Sequence, residues 1–415
     1  MHILFLTDNF PPEVNAPASR TYEHCREWVK AGAEVTVVTC APNFPKGALF
    51  DGYRNRLWQT EEMDGIRVVR VWSYISANEG FLRRTLDYVS YMVSATLAAP
   101  FVRKADIVIG TSPQFFTAVA AYMVSRTKRI PFVFELRDLW PESIQAVGAL
   151  KPSRALRALS RLEMFLYRKA AAIVSVTRSF REILMDRGVD GAKIHVVTNG
   201  SDLTRFHPLE RDAALARELG VEGRFVAGYI GTHGMAHALH SLLEAARLLA
   251  GRPDGRDIVL LLVGDGAEKK ALKARAEELG LANVRFVDTV PKAEIPRYWS
   301  LLDVSIIHLR KQDLFKSVIP SKMFESMAMG IPILHGVEGE SADILRESGA
   351  GFTFEPENAA ELADHLVRLA GDTALRAEAG RRGIAAARRY DRRQLAAEML
   401  DVLRRLVPAA RRDSA

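Results

Sequence analysis

Short apolar segments rich in Val, Ile and Leu alternate with amphipathic helical patterns along most of the chain, and this alternation limits the fold more than any other feature. Segments such as 3–6 and 34–39 have the length and β-branched content of buried strands. Patterns at about 19–31 and 82–102 have helical spacing of their apolar residues. Strands that alternate with helices form a parallel sheet covered by helices. The sequence therefore predicts an α/β, doubly wound architecture.

This alternation stops in the middle of the chain and then restarts. Thr198-Asn-Gly-Ser-Asp-Leu is a turn signal, and a polar stretch continues from it to Gly223. The strand and helix pattern begins again at Phe225, and 415 residues exceed what one core usually holds. We therefore predict two Rossmann-like domains, residues 1–205 and 206–384, that face each other across a central cleft.

The composition argues against several other classes of protein. Two cysteines, Cys25 and Cys40, are too few for a disulfide scaffold or a four-ligand zinc site, and they indicate a reducing compartment. The first residues predict a buried strand rather than a signal peptide. No nucleic-acid-binding signature accompanies the net charge of +7. The arginine-rich tail from Arg381 to Ala415 is either a solvated helix face or a contact for anionic lipid headgroups.

The stretch from Ser317 to Gly330 concentrates polar residues at a predicted helix start. Pro320 suits the first helical position, and Gly330 suits the position after the last turn. Ser321 and Glu325 lie one turn apart on one face. Free amides at a helix start favour a phosphate, and a carboxylate one turn further accepts hydrogen bonds from sugar hydroxyls. The alternative is an ordinary amphipathic helix whose polar residues are solvated.

Two glycine-rich turns in the second half also follow predicted strands. Gly231-Thr-His-Gly234 and Gly264-Asp-Gly266 would let the backbone approach a pyrophosphate, although neither matches a complete dinucleotide fingerprint. His233, His237 and His240 have no carboxylate where a zinc site needs one, and the chain contains no Asp-x-Asp. We therefore expect no metal and no cofactor, and we expect amides and basic side chains to neutralise a bound diphosphate.

Three segments of the first half have unusual composition. The loop after Phe132-Val-Phe carries Glu135, Arg137, Asp138 and Glu142, which either stabilise charge in the cleft or brace the loop. A second loop, 9–20, is long, proline-rich and placed to overhang the same cleft.

The third segment, Tyr88 to Val102, lacks charged residues but is flanked by basic ones. It is too short to span a bilayer, so it is either a core helix or an interfacial helix that docks on a membrane.

With these elements in place, the sequence resembles the retaining GT-B glycosyltransferases of family 4, specifically the WbuB-like enzymes of O-antigen and capsule assembly. The resemblance covers nearly the whole chain. It is carried most specifically by Arg137-Asp-Leu-Trp-Pro-Glu142 and Pro320-Ser-Lys-Met-Phe-Glu325. Its other carriers are Asn9-Phe-Pro-Pro-Glu, Thr39-Cys-Ala-Pro-Asn-Phe-Pro-Lys-Gly, Gly110-Thr-Ser-Pro-Gln-Phe-Phe, Asn199-Gly-Ser-Asp and Val263-Gly-Asp-Gly.

The resemblance implies that the second domain holds a nucleotide-sugar donor, that the first holds the acceptor, and that a helix at about 385–415 crosses back to the first domain. It implies that Glu325 binds the ribose hydroxyls, the amides of Val318 to Pro320 the diphosphate or sugar, and Val287 to Val290 the base. The predicted donor-binding residues are Gly231, His233, Gly234, Gly264, Val287, Val290, Lys316, Ser317, Val318, Ile319, Pro320, Ser321 and Lys322. The predicted catalytic residues are Arg137, Asp138 and Glu325, and the predicted acceptor-side residues are Asn15, Ala16 and Arg20.

The chain departs from the family pattern at three places. Ser317 stands where the family commonly has a glutamate eight positions before Glu325, and Thr232 follows the first loop glycine where an arginine is usual. His237 lies near the place of the usual lysine, and Arg137 with Asp138 lies near the place of a catalytic histidine. His237, Lys316 and Lys322 remain alternatives for the diphosphate partner.

These inferences together predict a metal-independent retaining glycosyltransferase. We expect it to move a sugar, an N-acetylated amino sugar, from a UDP-sugar to a polyprenyl-diphosphate-linked saccharide in cell-surface polysaccharide synthesis. We expect a cytoplasmic protein bound peripherally to the inner face of the cytoplasmic membrane, with no nucleic-acid partner. The alternatives are a sugar-nucleotide epimerase of the same architecture and a catalytically silent protein that binds sugar nucleotides.

Overall fold

The computed structural model describes residues 1–44, 47–75, 81–102, 104–139 and 154–408, without the side chains of residues 81, 82 and 155. The chain divides into two compact units. Unit 1 comprises Met1–Thr198 with Arg392–Ala415, and unit 2 comprises Asn199–Asp391. The predicted boundaries after residue 205 and at about residue 385 thus differ from the observed ones by about seven residues. The first division falls at the predicted Asn-Gly turn.

Unit 1 is built on an eight-stranded sheet with the strand order β3-β4-β2-β1-β5-β6-β7-β8. All neighbouring strands are parallel except the pair of β3 and β4. The strands are β1 His2–Leu6, β2 Glu34–Cys40, β3 Trp58–Met63, β4 Ile66–Val71, β5 Ile107–Thr111, β6 Phe132–Leu136, β7 Ala172–Ser175 and β8 Ile194–Val196. Its described helices are α1 Ala16–Lys30, α2 Phe81–Ala98, α3 Phe115–Lys128, α4 Arg154–Lys169, α5 Arg178–Asp186 and α14 Arg392–Leu406.

The strand β3 was not expected from the sequence. It forms an antiparallel hairpin with β4 through Asp64 and Gly65, which both have positive φ. An Asp-Gly pair between alternating residues is a strong hairpin signal. The signal was missed because β3 lies at the sheet edge and its residues alternate between half-buried and exposed, so it lacks the continuous apolar run of the other strands.

The C-terminal helix α14 belongs to unit 1. It packs against α1, and the Trp28 indole N–H donates to the Ala396 carbonyl at 2.8 Å. One face of α14 is buried, and its four-residue spacing includes Leu395, Met399 and Leu403. The arginine-rich tail, 381–415, therefore contains a helix whose apolar face is a core element, and residues 409–415 lie outside the described part.

Unit 2 has a six-stranded parallel sheet with the order β11-β10-β9-β12-β13-β14. Its strands are β9 Phe225–Ile230, β10 Ile258–Val263, β11 Val284–Val287, β12 Val304–His308, β13 Ile333–Gly336 and β14 Gly351–Thr353. Its helices are α6 Ala213–Glu218, α7 His240–Ala250, α8 Lys269–Glu278, α9 Ile295–Trp299, α10 Lys322–Met329, α11 Glu340–Ser348, α12 Ala359–Gly371 and α13 Thr373–Ala387. Strands β9, β10 and β11 have the bounds that the apolar runs 225–230, 258–263 and 284–287 predict.

Both sheets reverse their strand order once near the middle. In unit 1 the reversal lies between β1 and β5, and in unit 2 it lies between β9 and β12. Open parallel sheets bind ligands in the crevice outside the carboxyl ends of the strands at such a point. The topology therefore marks one candidate crevice in each unit.

A buried ion pair ties α1 to the sheet of unit 1. The Arg20 guanidinium donates to Glu135 at the end of β6 at 2.9 Å, and both side chains are 2% exposed. It also donates to the carbonyls of Val197 and Thr198, just beyond β8, at 3.0 and 2.7 Å. Burial alone would raise the pKa of Glu135, but the charges of Arg20 and Arg137 outweigh it and hold the pKa below its usual value.

Because both charges of this pair are out of water, we expect Arg20→Met to lower the free energy of unfolding by about 3–5 kcal/mol, since it leaves the Glu135 carboxylate buried without its main partner. Urea denaturation followed by tryptophan fluorescence would measure the loss. The double variant Arg20→Met/Glu135→Leu should recover part of it. Lys30→Met, which removes a mostly exposed cation from the same helix, is the control and should change the free energy by less than about 1 kcal/mol. Equal losses for both single variants would contradict the role given to the buried pair.

Candidate functional site

The candidate donor site lies at the strand-order reversal of unit 2. The loop after β9 begins with Gly231, and the chain after β12 leads through a 3-10 turn to the start of α10. Gly231 has φ of +149°, and a Cβ atom at this residue would lie 2.7 Å from Lys322 Nζ. The loop after β9 and the first residue of α10 are therefore in contact, as the sequence predicts for two parts of one phosphate-binding crevice.

A second glycine holds the neighbouring loop against the first. Gly264 follows β10 with φ of +140°, and a Cβ atom there would lie 2.0 Å from the Gly231 carbonyl oxygen. Any other residue would force the two loops apart. Lys269, which sequence reasoning missed, fastens the same region, because its buried ammonium donates to the carbonyls of Gly264 and Val287 and to Asp288 at 2.5, 3.0 and 2.5 Å.

Lys322 carries the least satisfied charge in this crevice. Its Nζ lies 3.6 Å from the centroid of the Tyr229 ring, within cation–π range. The same atom is buried and has no hydrogen-bond acceptor among the residues that the structure describes. Burial lowers its pKa to about 7, with the Glu325 carboxylate opposing that shift. An anionic ligand would supply the missing acceptor.

The start of α10 differs from the prediction by two residues. The first helical residue is Lys322 with Ser321 as the N-cap, so the prediction that Pro320 occupies the first helical position is wrong. The Pro320 carbonyl instead accepts the Met323 N–H at 3.0 Å, which begins a tight turn ahead of the helix. The helix ends as predicted at Gly330, which has φ of +71°.

The backbone ahead of α10 offers fewer free amides than expected. The Val318 N–H donates to the Phe315 carbonyl at 3.1 Å, and Pro320 has no N–H to donate. In the described ranges, the N–H groups of Ile319, Ser321 and Lys322 have no acceptor. The predicted set of Val318 to Pro320 is therefore corrected to Ile319, Ser321 and Lys322.

The remaining polar residues of this stretch have distinct positions. Glu325 lies one turn after Ser321 on a half-buried face, as predicted. Ser317 is buried, and its hydroxyl donates to the Leu314 carbonyl at 2.8 Å. Lys316 is half exposed and forms ion pairs with Asp313 at 2.8 Å and Glu338 at 3.6 Å, which raise its pKa, Asp313 most strongly. Among the alternatives for the diphosphate partner, this geometry favours Lys322 over Lys316.

The histidines of the loop after β9 are neutral. Burial, together with nearby lysines, lowers the pKa of His233 to about 4 and that of His237 to about 3. The His233 ring is fully buried beside Tyr229, and its backbone N–H donates to the Asp265 carbonyl at 2.9 Å. Gly234 opens the short turn that contains His237, whose N–H donates to the Gly234 carbonyl at 3.0 Å. Neither ring carries positive charge near pH 7 without a ligand, so among the alternatives for neutralising a diphosphate the geometry favours Lys322 over His237.

The predicted base-binding residues lie on the other side of the reversal. Val287 ends β11, and its carbonyl accepts from the Gly264 N–H at 3.1 Å. Val290 is half-buried and packs against the core of unit 2. Val287 is therefore fixed next to the Gly264 loop, at the carboxyl end of the sheet.

In unit 1, the structure brings Asn15, Ala16 and Arg137 together at the start of α1. Asn15 is the N-cap, and its side-chain oxygen accepts the Ala18 N–H at 2.8 Å. The Arg137 guanidinium donates to the carbonyls of Ala16 and Pro17, both at 3.2 Å, so it braces the entry into this helix. Burial lowers its pKa to about 10, which leaves it charged at neutral pH.

The other predicted residues of unit 1 are placed differently. The Asp138 N–H donates to the Ser112 hydroxyl at 3.2 Å, alongside that of Arg137 at 2.8 Å, so one hydroxyl holds this loop. Arg20 lies inside the unit, and its contacts with Glu135 and two carbonyls are those of a bracing residue rather than of one that reaches an acceptor. Glu142 lies outside the described residues.

Sequence reasoning also missed three carboxyl groups near the carboxyl ends of β1 and β2. Burial raises the pKa of Asp8, raises that of Glu13 to about 7 and, with the charge of Asp8 adding to the effect, raises that of Asp87 to about 7. Glu13 accepts the N–H groups of Asn43 and Phe44 at 2.8 and 2.9 Å. The available signal was the position of Asp8 directly after a strand at the point where the sheet reverses its order.

No group of three or more His, Cys, Asp or Glu side chains able to hold a metal ion occurs within the described ranges. Within the same ranges, no helix is long and apolar enough to cross a membrane. The prediction that catalysis needs no metal stays a prediction.

Comparison with known families places two domains on this chain. Residues 15–200 match the model of the glycosyl transferase 4-like domain, and residues 211–386 match that of the glycosyl transferases group 1. The first match contains the start of α1 and the Arg137 loop. The second contains the crevice with Gly231, Gly264 and Lys322.

Known proteins agree with these domains. The chain is 25% identical over 340 residues to the Escherichia coli protein WcaI, whose name assigns it to colanic acid biosynthesis as a glycosyl transferase, covering 80% of this chain and 82% of that protein. Sucrose-phosphate synthase from Thermosynechococcus elongatus superposes with a TM-score of 0.77 at 17% identity, covering 98% of each chain. Anabaena HepE in complex with UDP-glucose superposes with a TM-score of 0.71 at 19% identity, covering 98% of this chain and all of that one.

At these identities the two solved structures show the fold alone, and the family models add the domain assignment. The chain therefore carries a glycosyltransferase 4-like domain followed by a group 1 glycosyltransferase domain, in the two-domain α/β architecture of the GT-B fold.

Proposed function

We propose that this protein is a retaining glycosyltransferase that moves a sugar, an N-acetylated amino sugar, from a UDP-sugar to a polyprenyl-diphosphate-linked saccharide in cell-surface polysaccharide synthesis. The observation that carries the proposal is the buried Lys322 ammonium, which has no acceptor in the described part of the chain and lies against Gly231 at the strand-order reversal. The name of WcaI, which refers to the synthesis of an extracellular polysaccharide component, supports the pathway class. The resemblance to the WbuB-like enzymes supports the amino sugar and the lipid-linked acceptor.

The proposed reaction needs the protein to stabilise the negative charge that develops on the leaving group. As the bond between the sugar and the diphosphate breaks, negative charge accumulates on the leaving phosphate. Lys322, the amides of Ile319 and Ser321 and the positive end of the α10 dipole would stabilise that charge without a metal ion. The acceptor hydroxyl attacks from the same face, its proton passes to the leaving phosphate, and no enzyme nucleophile is needed.

Glu325 would bind the ribose hydroxyls of the nucleotide. It lies one turn after Ser321, on the helix whose start faces the proposed diphosphate position. A carboxylate accepts hydrogen bonds from two neighbouring hydroxyl groups, which distinguishes a nucleotide from a bare diphosphate. The uracil base would lie at the end of the crevice opposite the sugar. There it would contact the segment that contains Val287 and Val290.

The first experiment is a thermal-shift screen of the protein against UDP-, dTDP- and GDP-sugars. We expect a UDP-sugar to raise the melting temperature most, since a ligand at one hundred times its Kd stabilises a protein by about 2.7 kcal/mol. Incubation with a lipid-diphosphate saccharide should then give a product that retains the anomeric configuration of the donor, measured by NMR. Release of a free 2-epimer would identify an epimerase, and donor binding without transfer or hydrolysis would identify a silent binding protein. Either result would overturn the proposal.

The lowered pKa of Lys322 makes donor binding depend on pH. Below about pH 7 the ammonium is already protonated, so affinity is at its maximum; above it, binding the anion requires proton uptake and affinity falls. We expect the Kd of UDP to rise by up to about tenfold per pH unit from pH 7 to about pH 9. Isothermal titration in buffers of different ionisation enthalpy would measure both the affinity and the proton uptake.

Two variants of this residue separate its charge from its shape. Lys322→Met should weaken binding at pH 7 and remove the pH dependence, whereas Lys322→Arg should remove the pH dependence alone because its guanidinium stays charged. Lys270→Met, an exposed lysine of α8, is the matched control and should behave as the parent protein. An unchanged pH profile in Lys322→Met would show that another group neutralises the diphosphate.

Removing the carboxylate of Glu325 should abolish the nucleotide-dependent thermal shift. Glu325→Ala is expected to leave the melting temperature of the unliganded protein within about 2 °C of the parent, because the side chain lies on a half-buried helix face. Glu347→Ala, which alters an exposed glutamate of α11, is the control. A full nucleotide shift in Glu325→Ala would rule out the ribose assignment.

A further inference from the structure

Helix α2 of unit 1 exposes an apolar stripe along its length. Leu86, Val93 and Leu97 are 49, 48 and 67% exposed, and Phe101, in the turn that follows the helix, is 76% exposed. Their spacing of seven, four and four residues places them on one side of the helix. The 18 residues of α2 span about 27 Å. This side of α2 is therefore a mainly apolar strip, interrupted by the half-buried Ser90 between Leu86 and Val93.

Neighbouring segments extend the strip. The Trp58 ring packs edge-on against Phe101 at 6.2 Å between centroids, and the adjacent Leu57 is 82% exposed. The Tyr74 N–H donates to the Ser90 hydroxyl of α2 at 2.7 Å, and the Tyr74 ring is 41% exposed. We call the set of Leu57, Trp58, Tyr74, Leu86, Val93, Leu97 and Phe101 the α2 surface.

The α2 surface is unusual within this protein. Among its described residues, unit 2 exposes two large hydrophobic side chains, Leu209 and Met235, which are far apart in sequence. A contiguous exposed apolar patch on a soluble domain marks an interaction site. Unit 1 exposes other large hydrophobic side chains, such as Met123 and Met185, but the α2 surface combines three on one side of a single helix with Phe101 and the Trp58 ring beside it. It therefore calls for an occupant.

Basic residues surround this apolar strip. Arg83 and Arg84 are exposed in the first turn of α2, Lys104 is exposed beyond its end, and Arg54 and Arg56 are exposed just before Leu57. The sequence of α2 contains one acid, Asp87, which is half-buried, and its pKa is raised to about 7 by burial and by the neighbouring Asp8. The exposed rim on α2 and its ends is thus positively charged.

We propose that the α2 surface docks unit 1 on a bilayer that contains anionic lipids. A helix with an exposed apolar side, aromatic rings and a basic rim lies in the plane of the interface with its apolar side among the acyl chains. A second copy of the chain fits less well, because a symmetric contact through this patch would bring the basic rims of both copies together. The charge of the rim instead complements phosphate-bearing headgroups.

Docking on α2 would bring a lipid-linked substrate to the right end of unit 1. The Tyr88 carbonyl accepts from the Gln114 side chain at the start of α3, and the charge of Asp8, at the end of β1, acts on Asp87. The first turns of α2 therefore lie beside the strand-order reversal of unit 1, while its later turns carry the most exposed apolar groups. This use of the surface depends on the proposed function; the docking itself does not.

Sedimentation with lipid vesicles tests the docking without donor or acceptor, so its result is independent of the proposed glycosyl transfer. We expect the full-length protein to sediment with phosphatidylglycerol-containing vesicles more than with pure phosphatidylcholine vesicles, and the excess to fall at high salt. The double variant Leu97→Ser/Phe101→Ser should lower the partition coefficient by roughly tenfold or more. Its response to UDP-sugars in the thermal-shift assay should equal that of the parent.

Matched controls replace exposed apolar residues elsewhere. Met185→Ser in α5 and Leu209→Ser in unit 2 should leave vesicle binding unchanged, as both side chains are exposed to a similar degree but lie outside the α2 surface. Equal vesicle binding by the parent and the double variant would overturn the proposal, as would no binding by the parent. A dimer in sedimentation equilibrium that the double variant abolishes would assign the surface to a second copy instead.

Discussion

A buried ammonium group that has no hydrogen-bond acceptor within the described ranges dominates the crevice at the strand-order reversal of unit 2. Lys322 is held above the Tyr229 ring and against Gly231, where burial has already lowered its pKa to about 7. Keeping a cation in such a place costs free energy unless a partner arrives. The glycines of the two adjoining loops, the buried Lys269 and the short turn before α10 all fix the geometry around this one group. The crevice is thus prepared for an anion before any ligand binds.

Unit 1 satisfies its buried charges in the opposite way. Arg20 and Glu135 neutralise each other inside the fold, and Arg137 caps the carbonyls at the entry to α1. These residues looked functional in the sequence because arginine, aspartate and glutamate crowd into one loop. Their contacts show how much of that crowding supports structure. Unit 1 also contains three carboxyl groups whose pKa values are raised, those of Asp8, Glu13 and Asp87. A role in holding the loops together does not by itself explain why these three acids are buried.

Prediction from sequence succeeded where the signal is local. Buried parallel strands are continuous apolar runs, so β9, β10 and β11 were placed at their observed ends, whereas the edge strand β3 lacks such a run. The glycine and helix-start motifs, which predict a donor site, lie together at the strand-order reversal of unit 2, and that site stays a prediction. Contacts between residues that are far apart in the sequence could not be predicted from local patterns. Arg20 meets Glu135 across 115 positions, and the burial of Lys322 depends on Tyr229 and Gly231, which precede it by about ninety.

The return of the chain to unit 1 has a consequence for how such proteins diversify. The C-terminal helix α14 packs against α1, so unit 1 is built from two separate pieces of chain. Unit 2 is one uninterrupted segment, Asn199–Asp391, inserted between them. A single recombination event bounded by those two positions would exchange the whole of unit 2 and leave the core of unit 1 untouched. Exchange of unit 1 requires matched changes at both ends of the gene. Unit 2 can therefore be exchanged, in evolution or by engineering, as one cassette, and unit 1 cannot.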